Sequence, residues 1–243
     1  MKVLSVVTVT FNAERTIEKT LQSVLSQSAR GAIEYIVVDG ASRDKTLDLI
    51  APYRSQIDHL VTEPDHGIFD AMNKAAQLAT TPWIVFMNAG DSFVDADTVA
   101  SLLPQLSAHA DGQTIIYGDC IRIWPDGRQE LRRADPYYLK RRCIPGIGIC
   151  HQSIYMPSAL LRSHPFRWQQ FPHCADLDLV HRLRSEGCSM LYEPRPLCLY
   201  AYGEGFSSNA QAARQVMDEN ARILGLRHSW IYYKQRLWQL FRK

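Results

Sequence analysis

Hydrophobic and polar positions alternate along the first half of the chain in two different rhythms. Residues 3–9 form an apolar, β-branched run, the signature of a strand covered on both faces. Over residues 13–27, Ile17, Leu21, Val24 and Leu25 fall on one side of a helix. The cycle then repeats. Residues 33–38 read as a second strand ending at Asp39-Gly40, 43–53 as a short helix and 57–62 as a third strand. Residues 67–79 read as a helix, and 83–87 as a fourth strand ending at Asn88-Ala89-Gly90-Asp91. Strands spaced by helices predict βαβ units and a mainly parallel sheet.

The second half is less regular. Residues 96–106 read as a helix, and Pro125-Asp126-Gly127 predicts a hairpin between 114–124 and 128–133. Residues 143–150, rich in Gly and Pro, read as a loop, 151–156 as a strand and 175–186 as a helix. Residues 188–202 read as extended, and 209–224 as a polar-rich helix. No repeat or linker interrupts the chain. The organisation expected is one domain over residues 1–207, with a donor half (1–95) and an acceptor half (96–207), followed by a helical appendage (208–243).

Composition narrows the classes. A chain of 243 residues with 46% hydrophobic and 21% charged residues is globular, not disordered or fibrous. Lys+Arg 27 against Asp+Glu 25 leaves a net charge of +2, so no field points to nucleic acid. No apolar run is long enough to span a bilayer, and the first apolar run lacks a small-residue cleavage site. The six cysteines form no CxxC pair. Reduced thiols and a cytoplasmic location are therefore expected. A metal cluster from Cys143, Cys150, Cys174 and His173 has little support in the spacing.

In open α/β sheets, ligands bind beyond the carboxyl ends of the strands. The loops there carry Thr10-Phe11-Asn12, Asp39-Gly40-Ala41-Ser42, Glu63-Pro64-Asp65-His66-Gly67 and Asn88-Ala89-Gly90-Asp91. Neither GxGxxG nor GxxxxGK[ST] is present, so phosphate would need another partner, such as a cation on a carboxylate. Asp91 is the best-placed carboxylate; a helix cap is its alternative role, which Asp95 fits better by spacing. Asp39 is either a turn residue or a carboxylate facing a ribose or base. Asp176 and Asp178 are either functional or simply favoured by a helix dipole, and His151 is either functional or structural.

Taken in order, these segments resemble the family 2 glycosyltransferases of GT-A fold. The motifs are residues 6–12, the run Asp39-Gly40-Ala41-Ser42-Arg43-Asp44-Lys45-Thr46, and residues 63–74. Asn88-Ala89-Gly90-Asp91, His151-Gln152, residues 175–179 and Gly205-Phe206-Ser207 complete the set. The likeness is closest in flavour to transferases of bacterial exopolysaccharide assembly, of colanic-acid or amylovoran type. It implies an α/β GT-A fold and inverting transfer from a nucleotide-sugar, a UDP-sugar by preference, to a lipid-linked or saccharide acceptor. Thr10, Phe11 and Asp39 would bind the nucleoside, and Asp70, Asn73 and Asn88 would line the donor pocket. Asp91 would hold Mg²⁺ or Mn²⁺, His151 and Gln152 would face the acceptor, and Asp176 would be the general base. Asn88 and Gly90 stand where many relatives carry further aspartates. The alternative is a non-catalytic nucleotide-sugar-binding subunit of an assembly complex.

Residues 227–243 combine Trp230, Trp238 and Phe241 with Arg236, Arg242 and Lys243. This pattern predicts a helix resting on the inner face of the cytoplasmic membrane or on another subunit.

Overall fold

The computed structural model of the chain describes residues 1–134, 149–201 and 210–225. The expected Gly-Ser motif at 205–207 and the helix at 227–243 lie outside the described residues. In chain order the elements are β1 (Leu4–Thr10), α1 (Ile17–Leu25), β2 (Ile33–Asp39), α2 (Thr46–Ile50), β3 (His59–Thr62), α3 (Ile68–Leu78) and β4 (Trp83–Phe86). There follow β5 (Ser92–Phe93), α4 (Thr98–Ala108), β6 (Thr114–Ile123), β7 (Gln129–Arg132), β8 (Ile154–Pro157), α5 (Ser158–Ser163), α6 (Ala175–Ser185), β9 (Ser189–Ala201) and α7 (Ala210–Ile223).

The described strands form one mixed sheet in the order β3-β2-β1-β4-β8-β6-β9-β5, with β7 paired to β6. Every residue of β1 and β2 is buried, which is why both strands read as continuous apolar runs. One apolar cluster joins Val7, Ile36 and Ile84 to Met72 of α3 and Leu179 of α6. The other, on the opposite face, joins Val6, Tyr35 and Val85 to Leu21 of α1 and Leu102 of α4.

Strand order places the site. Strands β1 to β4 are parallel, but β4 lies on the side of β1 away from β2, so the order reverses between β1 and β4. Crevices form at such a reversal. Register aligns Thr10 with Asp39 and Asp39 with Thr62, so the loops after β1, β2 and β3 leave the sheet side by side. The β4 backbone follows β1 as far as Ala89, whose N–H reaches the Val9 carbonyl at 3.2 Å. Strand β8 is antiparallel to β4, so its leading residues, His151 and Gln152, arrive at the carboxyl end of β4. Strand β9 runs parallel to β6 and ends at that same edge with Ala201.

The structure revises several boundaries. His151–Ser153 is a 3₁₀ turn and not the start of a strand, which begins at Ile154. Strand β5 and helix α5 were not legible in the sequence; two and six residues are too few to show a period. Asp95 accepts from the Asp97 N–H and the Thr98 hydroxyl at 3.0 and 2.8 Å, building the turn that leads into α4. Glu34 breaks the apolar run of β2 as a buried pin at the opposite end of the sheet. Burial opposes its charge, but donors from Ser5 and Thr80 outweigh it and hold the carboxyl below its usual range.

Candidate active site

The loops after β1 and β2 lock to each other. The Asn12 N–H donates to Ser42 Oγ at 2.8 Å, and the Arg43 N–H returns to Asn12 Oδ1 at 2.9 Å. Asn12 (φ 48°) and Ala41 (φ 62°) both take left-handed backbone conformations, a strain that surrounding contacts must hold. Asp39 is fully buried at the end of β2, where Oδ2 accepts from the Ser42 N–H at 2.9 Å and Oδ1 from the Ser42 hydroxyl. Phe11 stands beside it with 61% of its surface exposed, the side chain of an apolar residue left uncovered at the mouth of the crevice.

Gly40 admits a residue that sequence reasoning passed over. A Cβ there would lie 2.5 Å from Asp65 Oδ2 and 3.3 Å from Phe11 Cδ2. Asp65 therefore packs where a side chain at position 40 would stand, joining Asp39 and Phe11 at the crevice. The turn that delivers it needs Gly67 (φ 115°), whose N–H donates to Asp65 Oδ1 at 2.8 Å. The available signal was that Asp65 sits in the same strand-end loop as Glu63 and His66.

Asp70 and Asn73 hold loops in place. Asp70 Oδ2 accepts from the His66 N–H at 3.0 Å and lies 3.8 Å from Lys74 Nζ. Asn73 exchanges two hydrogen bonds of 2.9 Å with the backbone of Phe166, tying α3 to the segment before α6. The His66 ring stacks on Trp168 of that segment at 5.4 Å.

A polar network occupies the reversal point. Asn88 Nδ2 is 2.8 Å from His151 Nε2, and His151 Nδ1 is 3.5 Å from Asp176 Oδ2. Beside them Asp91 accepts from Gln152 Nε2 through Oδ2, and from the Ala201 N–H at 3.1 Å through Oδ1. Burial pushes the Asp91 carboxyl up to about 6, against the opposing pull of Gln152, His151, Ala201 and Lys19. Asn88 Oδ1 is buried and has no hydrogen-bond partner. Cys150 Sγ donates to Gln152 Oε1 at 2.7 Å and lies 4.0 Å from Cys198 Sγ.

The two aspartates of α6 are distinguished by their partners. Asp178 is buried and clamped. Arg167 reaches both its oxygens, with Nε to Oδ2 at 2.8 Å, and Arg182 Nε adds a contact at 3.1 Å. Asp176 keeps 28% of its side chain exposed and turns Oδ2 to His151. Of the two, Asp176 is the one whose oxygens no arginine occupies.

No group of three or more His, Cys, Asp and Glu side chains among the described residues can hold a metal ion. His173 pairs with Glu219 at 3.0 Å, and the described cysteines are free thiols. Beside the end of β4, the described residues offer the Asp91 carboxylate and an unpartnered amide oxygen, Asn88 Oδ1. Two hard oxygens suit a cation of the Mg²⁺ or Mn²⁺ kind, whose other positions go to phosphate and water.

This sheet, with polar groups gathered at its reversal point, has the architecture of the GT-A glycosyltransferases. The chain belongs to glycosyl transferase family 2, whose family model matches residues 5–161. A "PGL/p-HBAD biosynthesis glycosyltransferase" of Mycobacterium bovis (strain BCG / Pasteur 1173P2) is 32% identical over 154 residues, 62% of this chain and 57% of that protein. The chain thus spans less than two thirds of that relative's length. Among solved structures, S. aureus TarS 1-349 in complex with UDP-GlcNAc superposes with a TM-score of 0.71 at 16% identity, covering 100% of this chain and 76% of TarS. The mannosyltransferase PcManGT from Pyrobaculum calidifontis, in complex with GDP-Man and Mn2+, gives 0.69 at 20% identity, covering 98% and 71%. These likenesses establish the fold. Asp176 lies beyond the family-model match.

Proposed function

We propose that this glycosyltransferase inverts the anomeric centre as it moves a sugar from a nucleoside diphosphate donor, a UDP-sugar by preference, to an acceptor hydroxyl. The observation that carries this reading is the half-buried carboxylate of Asp176, which no arginine clamps and which is connected through His151 to Asn88 beside Asp91. An inverting transfer needs one base, whereas glycoside hydrolysis needs a pair of carboxylates flanking the bond. Asp39, Thr10 and Phe11 form the nucleoside end, with Asp65 as an added member. Asp70 and Asn73 serve the donor pocket by fixing the loops around it.

The acceptor hydroxyl gives its proton to Asp176 Oδ2 as its oxygen bonds to the anomeric carbon. The bond to the leaving phosphate oxygen breaks on the opposite face, and its electron pair departs with the nucleoside diphosphate. His151 holds Asp176 in place, and Gln152 holds Asp91. Asp91 and Asn88 would hold Mg²⁺ or Mn²⁺, which supplies Lewis acidity to the leaving diphosphate. A lipid-linked or saccharide acceptor in polysaccharide assembly, and peripheral attachment to the cytoplasmic membrane through residues 227–243, complete the proposal. The basic and aromatic composition of that segment supports them. No helix among the described residues is long and apolar enough to cross a membrane.

The test is a screen of UDP-, GDP- and dTDP-sugars for Mn²⁺-dependent release of nucleoside diphosphate, with a lipid-phosphate saccharide acceptor supplied. Turnover of one donor is expected. Tight donor binding without turnover across the acceptor series would favour the non-catalytic subunit instead.

Gly40→Ala offers a second check. The new methyl must displace the Asp65 carboxylate, the mobile end of a side chain, so stability should hardly change. Donor KM should rise by about tenfold, the loss of about one hydrogen bond at roughly 1.4 kcal/mol. An unchanged KM would remove Asp65 and Gly40 from the donor site.

A further inference from the structure

Helix α6 begins without a cap of its own. Its cap residue is Cys174 (φ −132°, ψ 27°), whose side chain makes no capping hydrogen bond; within the first turn, Asp176 Oδ1 accepts from the Leu177 N–H at 2.8 Å. Free N–H groups at a buried helix start need a partner. For the N–H groups of His173 and Cys174, which lead into the first turn, that partner comes from α7, 45 residues beyond Cys174. Glu219 Oε2 accepts from the Cys174 N–H at 2.9 Å and from the His173 N–H at 3.0 Å, while Oε1 lies 3.0 Å from His173 Nδ1. Both side chains are buried, 8% exposed each.

Two more contacts bind α7 to the same segment. Cys174 Sγ reaches the Val216 carbonyl at 3.7 Å, and the Arg222 guanidinium lies over the Phe171 ring at 5.1 Å. Arg167 lies over that ring at 5.6 Å and clamps Asp178. Asp176 stands two residues past Cys174. Its Oδ2 is set against His151 from one side, while its helix start is held by Glu219 from the other.

We propose that Glu219 is a positioning residue for the transfer reaction. From α7 it caps the helix that carries the base and fixes where Asp176 stands. This inference rests on the reading of Asp176 as the general base. The carboxylate suits the place twice over: it satisfies two backbone donors with one oxygen, and its charge faces the positive end of the helix dipole. Truncating it leaves buried N–H groups unpaired, and the first turn must shift to find water. A displacement of about 1 Å at a reacting group can cost on the order of 100-fold in rate.

The experiment measures kcat, donor KM and nucleoside diphosphate Kd for full-length Glu219→Ala, Glu219→Gln and Asp176→Asn. Glu219→Ala should lower kcat by about 10- to 100-fold, with donor KM and Kd within about twofold of wild type. Glu219→Gln should recover most of the rate, because one amide oxygen can accept both N–H groups. Glu219→Ala placed on top of Asp176→Asn should cost nothing further, since residues acting as a unit are not additive. If Glu219→Ala does not fold, Glu219→Asp, one methylene shorter, takes its place in every comparison.

A wild-type kcat in Glu219→Ala, or a parallel loss of kcat and donor affinity, overturns the inference. So does a Gln variant as impaired as the Ala variant. The reading of Asp176 fails separately: a fully active Asp176→Asn removes the base, and this inference with it. An inactive Asp176→Asn beside an unaffected Glu219→Ala removes Glu219 alone.

Discussion

Asp176→Asn is expected to lower kcat by about 10²- to 10⁴-fold, the range of a general base, with donor binding unchanged. Asparagine keeps the size and the hydrogen bond from the Leu177 N–H at 2.8 Å but cannot accept a proton from an acceptor hydroxyl. The loss should therefore appear in turnover and not in the Kd for nucleoside diphosphate, measured by calorimetry. His151→Gln should show a smaller loss, because in the proposed mechanism His151 orients the base and does not take the proton. Should Asp176→Asn turn over at the wild-type rate, the base lies elsewhere. Asp178 is not the substitute, since Arg167 and Arg182 already occupy its oxygens. His151, 3.5 Å away, would be next.

Asp91→Asn is expected to stabilise the metal-free protein at neutral pH while lowering turnover by about 10²- to 10³-fold. Burial raises the Asp91 carboxyl from 3.8 to about 6 in the folded chain. A folded-state value above the unfolded one means that the folded chain binds this proton more tightly. The stability it lends is complete below about pH 3.8 and is lost as the pH climbs through about 6. The difference corresponds to about 3 kcal/mol, reduced by about 1 kcal/mol for the acceptor that asparagine gives up. Urea unfolding in EDTA from pH 4 to pH 8 should show the variant gaining on wild type up to about pH 7, then levelling. Parallel stability curves would show that Asp91 is not a buried charge. Mn²⁺ with nucleoside diphosphate should stabilise wild type and leave Asp91→Asn nearly unmoved.

The stability that Asp91 gives up at neutral pH has a structural reason in its neighbours. The same burial that penalises the charge also leaves Asn88 Oδ1 without a partner. A cation shared by these oxygens, with diphosphate, would relieve both.

Local pattern determined the parallel half of this protein. The apolar runs at β1, β2 and β4, the amphipathic face of α1, and the polar loops closing each strand are properties of neighbouring residues, so a sequence displays them. The loop motifs carried the family resemblance for the same reason, and the family-model match over residues 5–161 agrees with it. Tertiary structure decided how those loops are used. Which of two aspartates two positions apart is free depended on Arg167 and Arg182 folding onto Asp178. Asn88 meets His151 across 63 residues, Asn73 holds Phe166 across 93, and Glu219 caps α6 across 45. Asp65 reached the crevice only because Gly40 leaves it room. Such pairings arise when elements far apart in the chain pack together, and no periodicity along the chain records the partner a side chain meets there.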